Sequence, residues 1–404
     1  DLSITARGYS NAGGTISAVD QANINVYDSV YYGSSDTINA ADLKLTTQGN
    51  FTNSGKLSAQ NALTVSANNI DNLKGAEITS NGTTALNASA NIDNRGLING
   101  VNSYLDAVST VNNYSNGRIY GDHVAIKATT LNNTPDVFTK TQVDNCKAGP
   151  GCLVEIYDAA SKEQVWMSQT YLDELAKLET SDPSKYQQIM ANNNFKYYKV
   201  TSDSAPVIAA RRRLDIGVNT LNNNPNQARS GIFNEDFNGQ AQIISNGEMH
   251  IGGRLDSNHQ AIGRANTVTN KGASIESAGD MAISANTLNN VNADFRKTTE
   301  IVSEKHVNKW RFKNDKQGRL FDPSELRGSS WDYYVKETGE ELGEDYNDYN
   351  YTETISKDRV VASDASRIIS GSDMYLAGNT FTNEKSIILS GENKQIYGKE
   401  LINE

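Results

Sequence analysis

Proline and cysteine are nearly missing from this 404-residue chain, at 6 and 2 copies, and only 8% of its residues are aromatic. With so few prolines there is no proline-rich linker, and two cysteines cannot make a disulfide-dense scaffold. No run of 18 or more apolar residues occurs, so no stretch is long enough for a membrane-spanning helix. Basic charge is also short: 37 Lys and Arg stand against 48 Asp and Glu, and a net charge of −11 argues against a nucleic-acid partner. Catalytic signatures are absent too. The 4 histidines (His123, His250, His259 and His306) are scattered, with no H-E-x-x-H pair, nucleophile elbow, phosphate loop or dinucleotide fingerprint.

What is there is a repeat. From residue 42 to 133 the chain reads DLKLTTQGNFTNSGKLSAQN, ALTVSANNIDNLKGAEITSNG, TTALNASANIDNRGLINGVNS and YLDAVSTVNNYSNGRIYGD, a period of about 20 residues. Each unit has two aliphatics two apart (Leu43/Leu45, Leu63/Val65, Leu105/Ala107). An apolar residue then precedes an Asn-x-(x)-Gly turn: Phe51 before Asn53 and Gly55, Ile70 before Asn72 and Gly75, Ile92 before Asn94 and Gly96. One more aliphatic follows: Leu57, Ile78, Ile98 or Ile119. Period-two alternation in such short runs means strands with one buried face, and the Asn and Gly read as suppliers of left-handed turn backbone. A unit this small cannot bury its own face and must stack on its neighbours. Mean hydropathy is low, at −0.58, but the regular aliphatics exclude disorder. The fold expected is all-β: a right-handed parallel β-helix with about 20 residues per coil and two inserted non-repeat segments, the first partly α-helical.

Taken in order, residues 1–136 read as β-helix repeats. The second coil is irregular, with Tyr27, Tyr31 and Tyr32 where a turn belongs, and a bulging loop is expected there. Residues 137–211 form the first insertion. Cys146 and Cys152 enclose KAGPG. The expected pairing is a disulfide suited to an exported protein, since two cysteines without nearby histidines make a poor zinc site. A helical hairpin follows. Thr170 is placed to cap YLDELAKLE, with Tyr171, Leu172, Leu175 and Leu178 on one face, and Asp182-Pro183 opens a second helix striped by Tyr186, Ile189 and Met190. FKYYKVTSD reads as a strand, and Arg211, Arg212 and Arg213 as a solvated rim.

Coils resume over 212–295. LDIGVNTLNN mirrors VAIKATTLNN closely enough that residues 124–134 and 214–224 are expected to stack across the insertion. Residues 296–360 form a second insertion, basic at first and acidic later, with WDYYVKE and YNYTETISKDRVV alternating like hairpin strands; residues 361–404 return to the coil pattern. GEELGEDYNDYN is too short of ligands for a calcium loop. Some β-helices host polysaccharide lyases and glycosidases, which need two or three acidic or basic groups on one face of neighbouring coils. The faces here carry Asn, Ser and Thr instead. No enzymatic activity, cofactor or metal is expected.

The coils from residue 42 to 133 resemble the filamentous-haemagglutinin repeats of exoproteins exported by two-partner secretion. The layout, regular coils and then coils interrupted by two foreign insertions, resembles the CdiA effectors of contact-dependent growth inhibition in Gram-negative bacteria. That resemblance implies a secreted, cell-surface filament, with this chain a piece of it that opens in mid-repeat and carries no toxin domain. The implied role is binding an outer-membrane receptor on a neighbouring bacterium, with the loops of a β-barrel protein favoured over lipopolysaccharide. The alternative is an adhesin for host glycans or matrix. The fragment is expected to be monomeric. Recognition is placed on Trp331, Tyr333, Tyr334, Tyr346, Tyr349 and Tyr351, with Asp345 and Asp348 as polar contacts, because the coils have no use for large aromatics among carboxylates. Trp331 and Tyr333 are the two of these most suited to a small core of the insertion.

Overall fold

The computed structural model describes residues 1–136, 139–144, 152–158, 163–166, 169–192, 195–201, 204–224, 240–293 and 295–404. The chain forms two compact units: residues 1–295 with 362–404, and residues 296–361.

The first unit is a parallel β-helix whose strands stack in three columns. In the first column Ala62–Ala67, Thr83–Ala88 and Asn102–Ala107 pair in parallel and in register. Their alternation sends Leu63 and Val65, then Thr84 and Leu86, then Ser103 and Leu105 inward. The second column runs through Phe51–Asn53, Ile70–Asn72 and Asn91–Asn94, and the third through Lys56–Ala59, Glu77–Ser80 and Leu97–Asn99. One contiguous apolar core of Leu, Ile, Val, Ala, Met and a few aromatics threads the coils from Ala22 to Phe381. Each buried Leu or Ile contributes about 1.5–3 kcal/mol, so stability comes from repetition.

The repeated asparagines are not turn residues. Asn53 lies two positions after Phe51 in the same strand, so period two points both side chains inward. Asn53, Asn72, Asn94, Asn113, Asn133, Asn223, Asn270 and Asn290 are fully buried. Each donates its Nδ2–H to the Oδ1 of the next, at 2.8–2.9 Å, and the series ends on Asn383 and Asn403. Most also donate to a backbone carbonyl of the following coil, as Asn53 does to Glu77 at 3.0 Å. The buried amides therefore satisfy one another. The glycines divide: Gly75 supplies a left-handed φ of 81°, as expected of a turn glycine, whereas closeness decides at the other two, since a Cβ on Gly55 would press on the Gly33 carbonyl oxygen and one on Gly96 on that of Ala76. The second coil is likewise more regular than its sequence implies. Val30–Tyr32 is a strand paired with Phe51–Asn53, and Tyr32 is buried at the ladder position, its hydroxyl donating to the Asp36 carbonyl at 2.8 Å.

The ladder crosses both insertions without a step. Val124, Ile126, Leu131 and Asn133 pair with Leu214, Ile216, Leu221 and Asn223, and Met281, Ile283, Leu288 and Asn290 with Met374, Leu376, Phe381 and Asn383. In the first insertion Thr139–Val143, Phe195–Thr201, Cys152–Asp158 and Glu163–Trp166 form a four-stranded antiparallel sheet in that order. Helices Gln169–Ser181 and Pro183–Asn192 follow. The first starts one residue before Thr170, so Thr170 is not its cap. The second starts at Pro183 as expected, with the Asp182 carboxylate accepting from the Lys185 N–H at 3.1 Å. Leu175 is buried, and Leu178, Tyr186 and Met190 are half-buried. Cys146, and the side chains of Cys152, Tyr171, Leu172 and Ile189, lie outside the described residues.

In the second unit Phe295–Phe312 pairs with Tyr346–Ser363 in a two-stranded ribbon. The partner of Tyr346–Ser363 is thus the strand that opens the insertion. Tyr333–Val335 belongs instead to a three-stranded antiparallel sheet with Leu326–Gly328 and Glu341–Gly343. Phe312, Phe321, Leu326 and Leu342 form its small core. A 3₁₀ turn at Pro323–Glu325 is held by a capping box from Asp322 and Glu325.

Candidate functional site

The side chains expected to carry recognition divide into two sets. Tyr333 and Tyr346 are half-buried against the small core. Tyr346 stacks on Trp310 at 4.1 Å between centroids, and Tyr333 meets Trp310, Phe312 and Tyr346 at 5.2–5.7 Å. Burial raises the Tyr346 pKa, with Tyr333 adding to the effect. Tyr346 is therefore a packing residue. Tyr334 is half-buried, with the Arg327 guanidinium 5.6 Å from its ring. Trp331, Tyr349 and Tyr351 point outward, at 77%, 38% and 44% exposure. Trp331, expected as a core candidate, is thus the most exposed of the set, and Tyr346 takes the core place. Asp345 is exposed and ion-paired with Lys313 at 3.7 Å, and Asp348 is exposed.

The basic and acidic halves of this unit face one another. Lys297 pairs with Asp358 at 2.7 Å, and Arg319 reaches Glu340 at 2.6 Å and Asp315 at 3.3 Å. Hydrogen bonds from Arg319, and from Lys297 and Thr299, lower the pKa of Asp315 and Glu340, and of Asp358. The segregated charges of the sequence cancel locally.

A second constellation went unseen in the sequence. The coil register brings three of the four histidines to one patch of the β-helix, because His123 pairs with Arg213 and then Glu248 while Ala125 pairs with Asp215 and then His250. Asp215 is wholly buried. It accepts from Arg213 at 2.6 and 3.1 Å and from the Ala261 N–H at 2.8 Å, and His123 Nε2 lies 2.9 Å away. Burial alone would raise its pKa, but the bonds from His123, Arg213 and Ala261 outweigh that and hold it at about 2. Arg213 also reaches Glu248 at 3.0 Å and lies 3.3 Å from His250, whose pKa falls through burial and the Arg213 charge. Arg213 is therefore a partly buried clasp and not solvated rim, whereas Arg211 and Arg212 stay exposed beside Asp122. His259, held at a left-handed φ of 59°, stacks on Tyr104 at 3.8 Å, and Tyr104 meets His123 edge-on at 5.5 Å. With every Asp215 bond committed, the cluster works as a strap. It fixes the hairpin Arg254–Leu255/Ala261–Ile262 over the coils.

Beside the strap is a groove of about 270 Å³ lined by His250, Asp280, Asp373, Tyr375 and Gln395, among others. Tyr375 and Tyr397 lie exposed in the neighbouring strands, with centroids 5.4 Å apart. Among the described residues no group of three or more His, Cys, Asp or Glu side chains could hold a metal ion, and no helix is long and apolar enough to cross a membrane.

The fold thus defines a solenoid protein: a parallel β-helix interrupted by non-repeat segments. The haemagglutinin repeat family model matches residues 1–55, 35–96 and 209–304, together just under half of the chain. The matched coils are similar to the haemagglutinin repeat, a structural repeat of filamentous, adhesin-like surface proteins that are typically secreted. No curated protein and no solved structure matches the chain.

Proposed function

We propose that this chain is the receptor-recognising part of a CdiA-like surface filament, with the β-helix as scaffold and residues 296–361 as the contact unit. Its partner is an outer-membrane receptor of a neighbouring bacterium, and binding directs contact-dependent toxin delivery. The observation that carries this reading is the exposure of Trp331, Tyr349 and Tyr351 on a unit foreign to the repeat. Large exposed aromatics offer contact area at low entropic cost, and the coils themselves have no role for them. Of the two receptor chemistries, protein loops are favoured over lipopolysaccharide, whose anionic sugars would oppose a chain of net charge −11.

The double variant Tyr349→Ala/Tyr351→Ala tests the reading. Loss of an anchoring tyrosine costs about 2 kcal/mol or more, roughly a thirtyfold weaker attachment to target cells, while thermal unfolding stays unchanged. Parental binding by the double variant would remove Tyr349 and Tyr351 as anchors. A second reading, an adhesin for host glycans, has support of its own in the Tyr375/Tyr397 pair beside the polar groove. Under that reading Tyr375→Ala, and not the double variant, lowers attachment.

A further inference from the structure

Resting on that reading, we infer that the contact unit engages its partner by adding a strand to the free edge of Phe295–Phe312, and that the occupant is an extended, net-acidic segment of a partner protein. The ribbon has two strands of 18 residues, and among the described residues neither has another neighbour in its sheet. Edge strands are ordinarily blunted by proline, charged side chains, a covering element or short length. This one has no proline, and its residues 301 to 306 are exposed throughout, including Ile301 and Val302 at more than half. The chain itself shows that the edge accepts a strand. Lys313 N–H donates inward to the Asp345 carbonyl at 2.9 Å, so Trp310 faces the other way, and there it exchanges both backbone bonds with Phe321 at 2.8 and 2.9 Å. That borrowed pairing is a single bridge. By alternation Asn308 comes next on the same edge, and a strand continuing the Phe321 bridge toward residue 301 would meet open backbone groups.

Charge selects the occupant. The strand is net basic, with Arg296, Lys297, Lys305, Lys309 and Arg311 against Glu300 and Glu304; Lys297 pairs with Asp358 and Lys309 with Asp322, so the basic side chain of the exposed stretch 301–306 is Lys305. A second copy pairing through this same edge would set basic strand against basic strand, which disfavours self-association, and an acidic segment is complementary. Strand addition draws affinity from main-chain bonds and specificity from alternate side chains.

The test is hydrogen exchange on the whole chain, read at residues 299–309, with and without outer-membrane vesicles from a bacterium to which the protein attaches. The free protein should show fast-exchanging amides alternating with those paired to the second strand, and vesicles should slow the fast set on the order of tenfold or more. Protease-shaved vesicles should lose the effect. In parallel, Asn308→Pro, with the near-UV signal of Trp310 checking that the unit folds, should cut attachment on the order of tenfold, and Lys305→Glu severalfold. Slowing that survives shaving makes the occupant a glycan and overturns the proposal, as does bound protein whose 299–309 amides are unchanged. If Tyr349→Ala/Tyr351→Ala abolishes attachment while Asn308→Pro, folded, retains it, the contact unit stands and strand addition falls. If neither variant matters, both fall.

Discussion

The β-helix and the inserted unit are both mostly strand, yet they are held together in opposite ways. In the β-helix a core residue is one of a column: Leu63, Thr84 and Ser103 succeed one another at equivalent positions, and a cavity at any of them is flanked by intact coils. In the inserted unit the described core is one small cluster, Phe312, Phe321, Leu326 and Leu342 with Trp310, Tyr333, Val335 and Tyr346 packed against it, and most of the ribbon that carries it is exposed. Repetition distributes stability and so frees insertions to leave and re-enter without cost to register, as Asn133 to Asn223 and Asn290 to Asn383 show. Concentrating it in a small core frees the remaining aromatics for the surface. Small cores are correspondingly fragile.

The sharpest way to break this comparison is Phe312→Ala. Removing a fully buried Phe costs about 3–5 kcal/mol, more than so small a core can absorb, so the tertiary signal of Trp310 should vanish while far-UV evidence of the β-helix persists. Asn133→Ala is the counterpart in the repeat. Asn133 accepts from Asn113 and donates to Asn223 and to the Gln242 carbonyl. Its loss orphans buried polar groups at about 1–3 kcal/mol each. The β-helix melting temperature should fall clearly, yet the coils should unfold as one transition, since the apolar columns around the gap are intact. Two separated transitions would mean that the ladder, and not the core, makes the coils cooperative.

The fold was legible because the aliphatic columns are local and periodic. The ladder was legible in principle and misread: in Phe51-x-Asn53, Ile70-x-Asn72 and Ile92-x-Asn94 the Asn shares the parity of a buried residue, but Asn before Gly looks like a turn. The Asp215 strap was not legible by spacing, since His123 and Asp215 are 92 positions apart. Only the alignment of VAIKATTLNN on LDIGVNTLNN, carried on to EMHIGG, sets them side by side. In the inserted unit, without a period, burial could be read only in part: Tyr333 packs against the small core as expected. There Trp331 and Tyr346 exchanged roles.

The strap supplies the next smaller effect, and it is set by pH. Asp215 has a folded-state pKa of about 2 against an ordinary value of 3.8. A depressed carboxylate stabilises above its unfolded pKa and loses that contribution as pH falls through the folded one. The window is therefore pH 4 down to pH 2, and the contribution lost there is about 2 kcal/mol. In urea titrations the parent should weaken over this range by that much more than Asp215→Asn, which lacks the group. Parallel pH profiles for the two proteins would show that the bonds from His123, Arg213 and Ala261 do not discriminate the charged form.

The smallest stability effect is expected where the sequence pointed to a core. Trp331 is 77% exposed in the turn before Tyr333–Val335, so Trp331→Ala removes little buried area and should change unfolding by no more than about 0.5 kcal/mol. Tyr346→Ala deletes the ring stacked on Trp310 and packed against Phe312, and should cost about 2 kcal/mol or more in the same unit. The two variants thus separate surface from core within one unit. If Trp331 is an anchor, its variant loses attachment to cells and keeps its melting temperature, whereas Tyr346→Ala loses attachment only in proportion to the fraction unfolded. A Trp331→Ala variant that destabilises the unit would place the indole back in the core. One that is neutral in both measurements would leave recognition to Tyr349, Tyr351 and the strand edge.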